Sequence, residues 1–340
     1  MAVSRQARIA VILFNLGGPD SLDAVRPFLF NLFNDRAIIN LPQPARWCLA
    51  QLISRLRAGT ACAIYSELGG ASPILPQTEN QAQALAAQLA SRGFTHSKCF
   101  IAMRYWHPFA EETVAAVREF APDHVILLPL YPQFSTTTTQ SSLEQWRGLS
   151  ADLAAREHVI CCYPEAAGWI AAQADLIQAS LAGMAADVPV RLLFSAHGLP
   201  KKIVDQGDPY PGQVAQTVAA VVDKLDMAAP VDYEICYQSR VGPLEWIGPS
   251  TEACLEKAGE EGKAVLVIPI AFTSEHSETL VELDIEYRAA AERFGVREYI
   301  RVPTVSNHPA FIAGLADLCE AALACDVLCG MNGTDRNCLG

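Results

Sequence analysis

Ile9-Ala10-Val11-Ile12-Leu13-Phe14 runs without a break into Asn15-Leu16-Gly17-Gly18-Pro19, and Val190-Arg191-Leu192-Leu193-Phe194 runs into Ser195-Ala196-His197-Gly198-Leu199-Pro200. Each is a short, largely apolar run that stops at residues suited to tight turns. That pattern reads as a strand buried on both faces. It recurs at residues 99–103 and 125–130 in the first half and at 233–237 and 265–270 in the second. Longer alanine-rich stretches of helical period lie between, at 80–92, 108–120, 213–225 and 279–293. Strands alternating with helices predict βαβ units, hence an α/β chain with parallel sheets flanked by helices.

The order is repeated. The strand ending at Asn15 is followed by one ending at Arg104-Tyr105-Trp106-His107-Pro108, then by Pro129-Leu130-Tyr131 leading into a hydroxyl-rich run at 135–142. In the second half the strand ending at His197 is followed by one ending at Gln238-Ser239-Arg240-Val241-Gly242-Pro243, then by Pro269-Ile270-Ala271 leading into 273–279. Open parallel sheets bind ligands beyond the carboxyl ends of their strands, so these polar segments are where a site is expected. Two such halves facing each other predict a cleft.

The bulk numbers agree with two domains: 340 residues, 51% hydrophobic and 18% charged. The expected boundaries are a domain at 1–165, a second at 166–318 and a cysteine-containing tail at 319–340. The net charge of −12, with no basic block, excludes nucleic acid as a partner. The longest apolar runs fall short of the ~18 residues of a membrane span. Arg5 and Arg8 precede a break at Gly17-Gly18-Pro19, so no secretory signal is read. Eleven cysteines without such a signal predict reduced thiols rather than a disulfide framework. No Gly-x-Gly-x-x-Gly follows a strand and no P-loop occurs, which removes dinucleotide and P-loop chemistry.

Two features carry chemistry. His197 follows a strand directly, held on rigid scaffold yet reaching open space, where an imidazole can take a proton or bind a metal. Glu278, Glu282 and Glu286 recur every four residues behind His276, making a ladder of carboxylates on one helix face. Three like charges at that spacing repel, a cost that a metal or a proton would relieve. From periodicity alone the face reads as an ordinary solvated one, with Leu280, Leu283 and Tyr287 packing on the other side.

Taken together these segments resemble the ferrochelatase family over about residues 9 to 315. The resemblance rests on 193–200 with Gly207-Asp208-Pro209-Tyr210-Pro211, on 237–243 with Trp246-Ile247-Gly248-Pro249, and on the acidic block at 269–287. Asn15 to Pro19, Tyr65 with 69–74, Arg104-Tyr105 with His107-Pro108, and 131–142 add N-terminal matches. It implies two Rossmann-like, chelatase-type domains related by pseudo-duplication. It implies insertion of Fe²⁺ into protoporphyrin IX, with His197 and Glu278 as the catalytic pair and metal contacts. His276 stands beside them, and Glu282 and Glu286 continue the ladder. Arg104 and Tyr105 would face the iron side, Leu16, Tyr65 and Trp246 the macrocycle, and Arg57 and Ser239 the propionates. Where relatives often carry a lysine before the first tyrosine block, this chain has Thr60, which leaves the propionate charge to Arg55 or Arg57. The implied setting is cytoplasmic, with a peripheral membrane contact and a homodimer as the associations to test.

The end of the chain carries Cys319, Cys325, Cys329 and Cys338. Some ferrochelatases hold a 2Fe–2S cluster with C-terminal cysteines, and by that resemblance Cys325, Cys329 and Cys338 are candidate ligands. The fourth would be Cys319, or else Cys161 or Cys162. The rival readings are a chelatase for coproporphyrin or another metal, and a non-catalytic tetrapyrrole-binding protein. The base and the acidic ladder separate these from each other, because a binder needs neither.

Overall fold

The computed structural model describes residues 3–185, 187–225, 230–240 and 244–329. The chain divides after Cys162; a second unit runs from Tyr163 to Gly314, and Leu315 onward returns to the first.

The first unit is built on β1 (Ile9–Asn15), β2 (Ser97–Met103), β3 (His124–Pro129) and β4 (Arg156–Cys162). All are parallel, in the order β2-β1-β3-β4. Every residue of β1 is buried, as expected for a central strand covered on both faces. Helices Ala110–Phe120 and Ser141–Ser150 cover one face, where Ile12, Phe14, Val114, Leu127 and Trp146 form the core. Phe14 meets Trp146 edge-to-face at 6.0 Å between ring centroids. The first of these helices starts cleanly because the Glu112 carboxylate accepts the Phe109 amide at 2.6 Å, and it ends at Ala121 in the left-handed region, φ 47°.

The second unit repeats the plan with β5 (Val190–His197), β6 (Tyr233–Gln238), β7 (Ala264–Pro269) and β8 (Tyr299–Arg301), parallel and in the order β6-β5-β7-β8. Its core gathers Leu193, Leu255, Val265, Val267 and Leu283. The two sheets therefore share one strand order, which is the duplication expected from the sequence. In both, the chain reverses direction around the first strand of the unit, and such a switch point is where an open sheet binds ligands.

The duplication extends to an irregularity. In each unit the third strand is followed by a π-helical segment, Thr136–Gln140 in the first and Glu278–Glu286 in the second. The single helix expected at 279–293 is thus two pieces, with an α-helix only from Tyr287 to Arg293. The Tyr287 amide reaches back to the Glu282 carbonyl, a five-residue bond that an α-helix would not make. The long helix Gln43–Glu67 was not expected, and the reason is physical: it buries only Ala50, Ser54 and Tyr65, so no apolar stripe marks it.

At the other edge of the first sheet β9 (Val327–Cys329) adds parallel to β4, and the register sets Cys162 beside Cys329. Cysteines 48, 62, 99, 236, 254, 319 and 325 carry free thiols, but Cys161 is disulfide-bonded, a departure from the expectation of reduced thiols. Among the described residues no helix is long and apolar enough to cross a membrane.

Candidate active site

His197 is the last residue of β5, and its neighbours fix its ring. Nδ1 lies 2.6 Å from the Gly198 carbonyl, which can only accept, so Nδ1 carries the proton. In the neutral ring Nε2 therefore bears the lone pair, and it stands 3.7 Å from Glu278 Oε1. That distance is too long for a hydrogen bond, so the carboxylate stands beside the ring without being tied to it. Gly198 makes the approach possible: a Cβ there would stand 2.9 Å from the Gln238 carbonyl and 3.2 Å from the Trp246 ring. Trp246 is held against this turn because its segment pairs with Leu199 to Lys201, through the Ile247 amide on the Leu199 carbonyl and the Lys201 amide on the Glu245 carbonyl. The buried Tyr210 hydroxyl bonds the His197 backbone, and burial pushes its pKa up.

Glu278 opens the π-helical segment. Its Oε2 is buried without a hydrogen-bond partner and lies 3.9 Å from His276 Nε2. A buried acceptor left unmade costs on the order of 1–3 kcal/mol, so such an atom points to a group that completes it. His276 is buried; its Nδ1 stands 3.1 Å from the Ser274 carbonyl, and burial lowers its pKa against the opposing pull of Glu278 and Glu275. The ring is accordingly neutral near pH 7, with its Nε2 lone pair toward Glu278.

The ladder is not three equal rungs. Glu282 accepts from the Ser239 amide at 2.7 Å, the Ser239 hydroxyl at 2.5 Å, Gln238 Nε2 at 3.2 Å and the Tyr287 hydroxyl at 3.2 Å. Burial, then the Glu278 charge, raises its carboxyl pKa. Ser239 adopts φ 62° to aim both donors at this one carboxylate; a non-glycine residue there is strained, as is common at functional sites. Glu286 is exposed and solvated. Periodicity alone could not separate a solvated face from a functional one, and the structure contains both.

In the first unit, Leu16, Tyr65 and Tyr105 fall in one apolar cluster with Val25 and Phe28. Arg104 and Tyr105 share a partner that sequence reasoning missed. Asp35 Oδ2 accepts from Arg104 Nε at 3.1 Å, Arg104 Nη2 at 2.9 Å and the Tyr105 hydroxyl at 2.7 Å, while Arg104 Nη1 reaches Gln145 at 2.6 Å. Nothing in the loop around Asp35 marks it, since its role exists only once β2 has placed Arg104. Asp35→Ala leaves a mostly buried guanidinium short of its counter-charge and is expected to cost about 3 kcal/mol, read as a lowered thermal midpoint. An unchanged midpoint would mean that the pair contributes nothing. Arg57 is exposed, its guanidinium 5.8 Å from the Phe33 ring centroid.

The candidate cluster cysteines are dispersed. Cys319 is fully buried on the helix Pro309–Ala322 near Cys99, where burial raises its pKa. Cys325 is half-buried and bonds the Ala321 carbonyl. Cys161 and Cys162 close β4 with their sulfurs 3.6 Å apart. Cys338 lies outside the described residues. Among the described residues no group of three or more His, Cys, Asp or Glu side chains is placed to hold a metal.

Comparisons with known proteins place the chain by family and by fold. A family model described as Ferrochelatase matches residues 8–323. The chain is 54% identical over 310 residues to a ferrochelatase of Caulobacter vibrioides, covering 91% of this chain and 88% of that one. It is 53% identical over 318 residues to a ferrochelatase of Phenylobacterium zucineum, covering 93% and 92%. Among solved structures it is similar to SirB from Bacillus subtilis with Fe³⁺, at TM-score 0.54 and 13% identity, covering 93% of this chain and 96% of that one, a likeness of fold alone. With a family match over nearly its whole length and relatives above half identity, the chain belongs to the ferrochelatase family.

Proposed function

We propose that the chain inserts Fe²⁺ into protoporphyrin IX, releasing two protons and forming protohaem in the terminal step of haem biosynthesis. The observation that carries this is the pairing of a His197 Nε2 lone pair with Glu278, whose buried Oε2 has no partner. A free-base porphyrin must lose two inner N–H protons as the metal enters. His197 Nε2 accepts a proton, and Glu278 stabilises the imidazolium and offers an oxygen to the incoming cation. His276 stands beside Glu278, Glu282 continues the ladder on donors of its own, and Glu286 leads outward to solvent. Arg104 and Tyr105 serve the iron side, and Leu16, Tyr65 and Trp246 contact the macrocycle, whose binding energy can hold the ring in a distorted, reactive shape. Both Ser239 donors are engaged by Glu282, so the propionate charge falls to Arg57, with Arg55 nearby in sequence. Anaerobic assay of Fe²⁺ with protoporphyrin and with coproporphyrin tests the substrate: faster turnover of protoporphyrin is expected, and preference for coproporphyrin would overturn that choice.

The reading includes a 2Fe–2S cluster held by Cys325, Cys329 and Cys338. The β4–β9 register, which sets Cys162 beside Cys329, favours Cys162 as the fourth ligand over Cys319, and over Cys161, which is disulfide-bonded. Four thiolates bind and colour such a cluster, which supplies no step of the insertion. Protein purified without oxygen should be reddish-brown with about two irons and two acid-labile sulfides per chain, and Cys329→Ser should bleach it because a hard oxygen replaces a soft sulfur. Colourless anaerobic protein without labile sulfide would remove the cluster.

The proposed location is cytoplasmic with peripheral membrane contact, supported by the exposed Ile38, Leu41, Trp47, Leu52 and Leu56. A homodimer has no such support among the described residues.

A further inference from the structure

Arg301 ends β8 with its side chain only 9% exposed, and it holds the acidic segment from both ends. Nη1 donates to Glu275 Oε1 at 2.9 Å and Oε2 at 3.2 Å, just ahead of Glu278. Nε donates to Asp284 Oδ2 at 2.8 Å, near the far end of the π-helical segment. The strip that carries Arg301 adds further ties. The Thr304 amide donates to Glu275 at 2.9 Å, the Ser306 amide to the Thr273 carbonyl at 3.0 Å, and the Tyr299 hydroxyl to the Leu283 carbonyl at 2.5 Å. Arg288 completes the far end, on Asp284 at 2.8 Å and on the Tyr299 carbonyl at 2.8 Å.

A π-helical register is held only where its surroundings select it over the α-helix. Relaxing Glu278–Glu286 to an α-helix would turn the residues on one side by roughly 100° per residue gained or lost. Glu278 would then swing away from His197. Clamping Glu275 and Asp284 to one planar guanidinium opposes that turn, because both ends must move together or break a buried ion pair. The fork of arginine suits the task; a lysine is a single point charge and can satisfy one arm well, not both.

We propose that Arg301 is a positioning residue for metal insertion, fixing the π-helical segment and through it the place of Glu278 against His197. The inference rests on the reading of His197 and Glu278 as the reacting pair. Arg301 is only 9% exposed, with Nε and Nη1 taken by Asp284 and Glu275, so it acts through these carboxylates, and loss of the clamp acts on kcat and spares porphyrin affinity.

The test is steady-state anaerobic insertion of Fe²⁺ into protoporphyrin by the full chain and by Arg301→Gln, Arg301→Lys, Glu275→Gln and Asp284→Asn. Misplacement of a reacting group by about an ångström costs on the order of 10²-fold, so Arg301→Gln should lose about that in kcat with KM for porphyrin within about twofold. Arg301→Lys should recover part of the loss. If Arg301→Gln does not fold, the two carboxamide variants decide, each keeping size and one accepting oxygen while removing the charge of one arm, and each should lower kcat at unchanged KM. Wild-type kcat in folded Arg301→Gln, or in both carboxamide variants, would overturn the inference, as would a loss confined to KM. An inert wild-type chain would instead defeat the functional reading itself, so the two failures are distinct.

Discussion

Replacing His197 by alanine is expected to lower iron insertion by about 10²- to 10⁴-fold, the range a positioned general base supplies, while the protein stays folded and still binds porphyrin. The imidazole is the one group at this strand end whose protonation state the structure assigns: Nδ1–H is committed to the Gly198 carbonyl, leaving Nε2 free to accept. Its removal leaves Glu278 Oε1 without the imidazole beside it, and a carboxylate is a poor match for a pyrrolic proton. Porphyrin affinity should survive, since the macrocycle contacts assigned to Leu16, Tyr65 and Trp246 are untouched. Initial rates without oxygen, beside circular dichroism and porphyrin fluorescence quenching, measure both sides of this expectation. Near-normal turnover would remove His197 from the mechanism.

Glu278→Gln should lower turnover by about 10²-fold, whereas Glu286→Gln should stay within about twofold, as expected of an exposed charge. The amide keeps the size of the side chain but cannot favour the imidazolium or offer a charged oxygen to iron. The two positions differ in environment more than in chemistry: Glu278 carries a buried oxygen without a partner, and Glu286 is solvated. Paired rate measurements on the two variants separate a working ladder from a solvated face. Equal, small effects would favour the solvated face.

Much of the fold was legible in the sequence because the strands announce themselves. Continuous apolar runs such as Ile9 to Phe14 mark strands buried on both faces, and the residues just beyond each run are fixed in space by the strand before them. His197 could be singled out on that basis alone. The π-helical register could not, because over nine residues its apolar and acidic spacing is indistinguishable from that of an α-helix. Asp35 and Arg301 were invisible for another reason. Each matters through partners remote in sequence, Arg104 and Tyr105 for the first, Glu275 and Asp284 for the second. The unequal fate of the glutamates was hidden likewise, since it depends on Ser239 reaching Glu282 from the end of β6.

The most direct measurement is the proton balance of the reaction. Fe²⁺ is added without oxygen to the protein and protoporphyrin in weakly buffered solution, while an indicator dye reports protons and the visible spectrum reports haem. Insertion by way of His197 requires haem to form catalytically with two protons released for each one made. Bound porphyrin whose spectrum stays that of the free base, with no protons released, would contradict it and leave a tetrapyrrole-binding protein in its place.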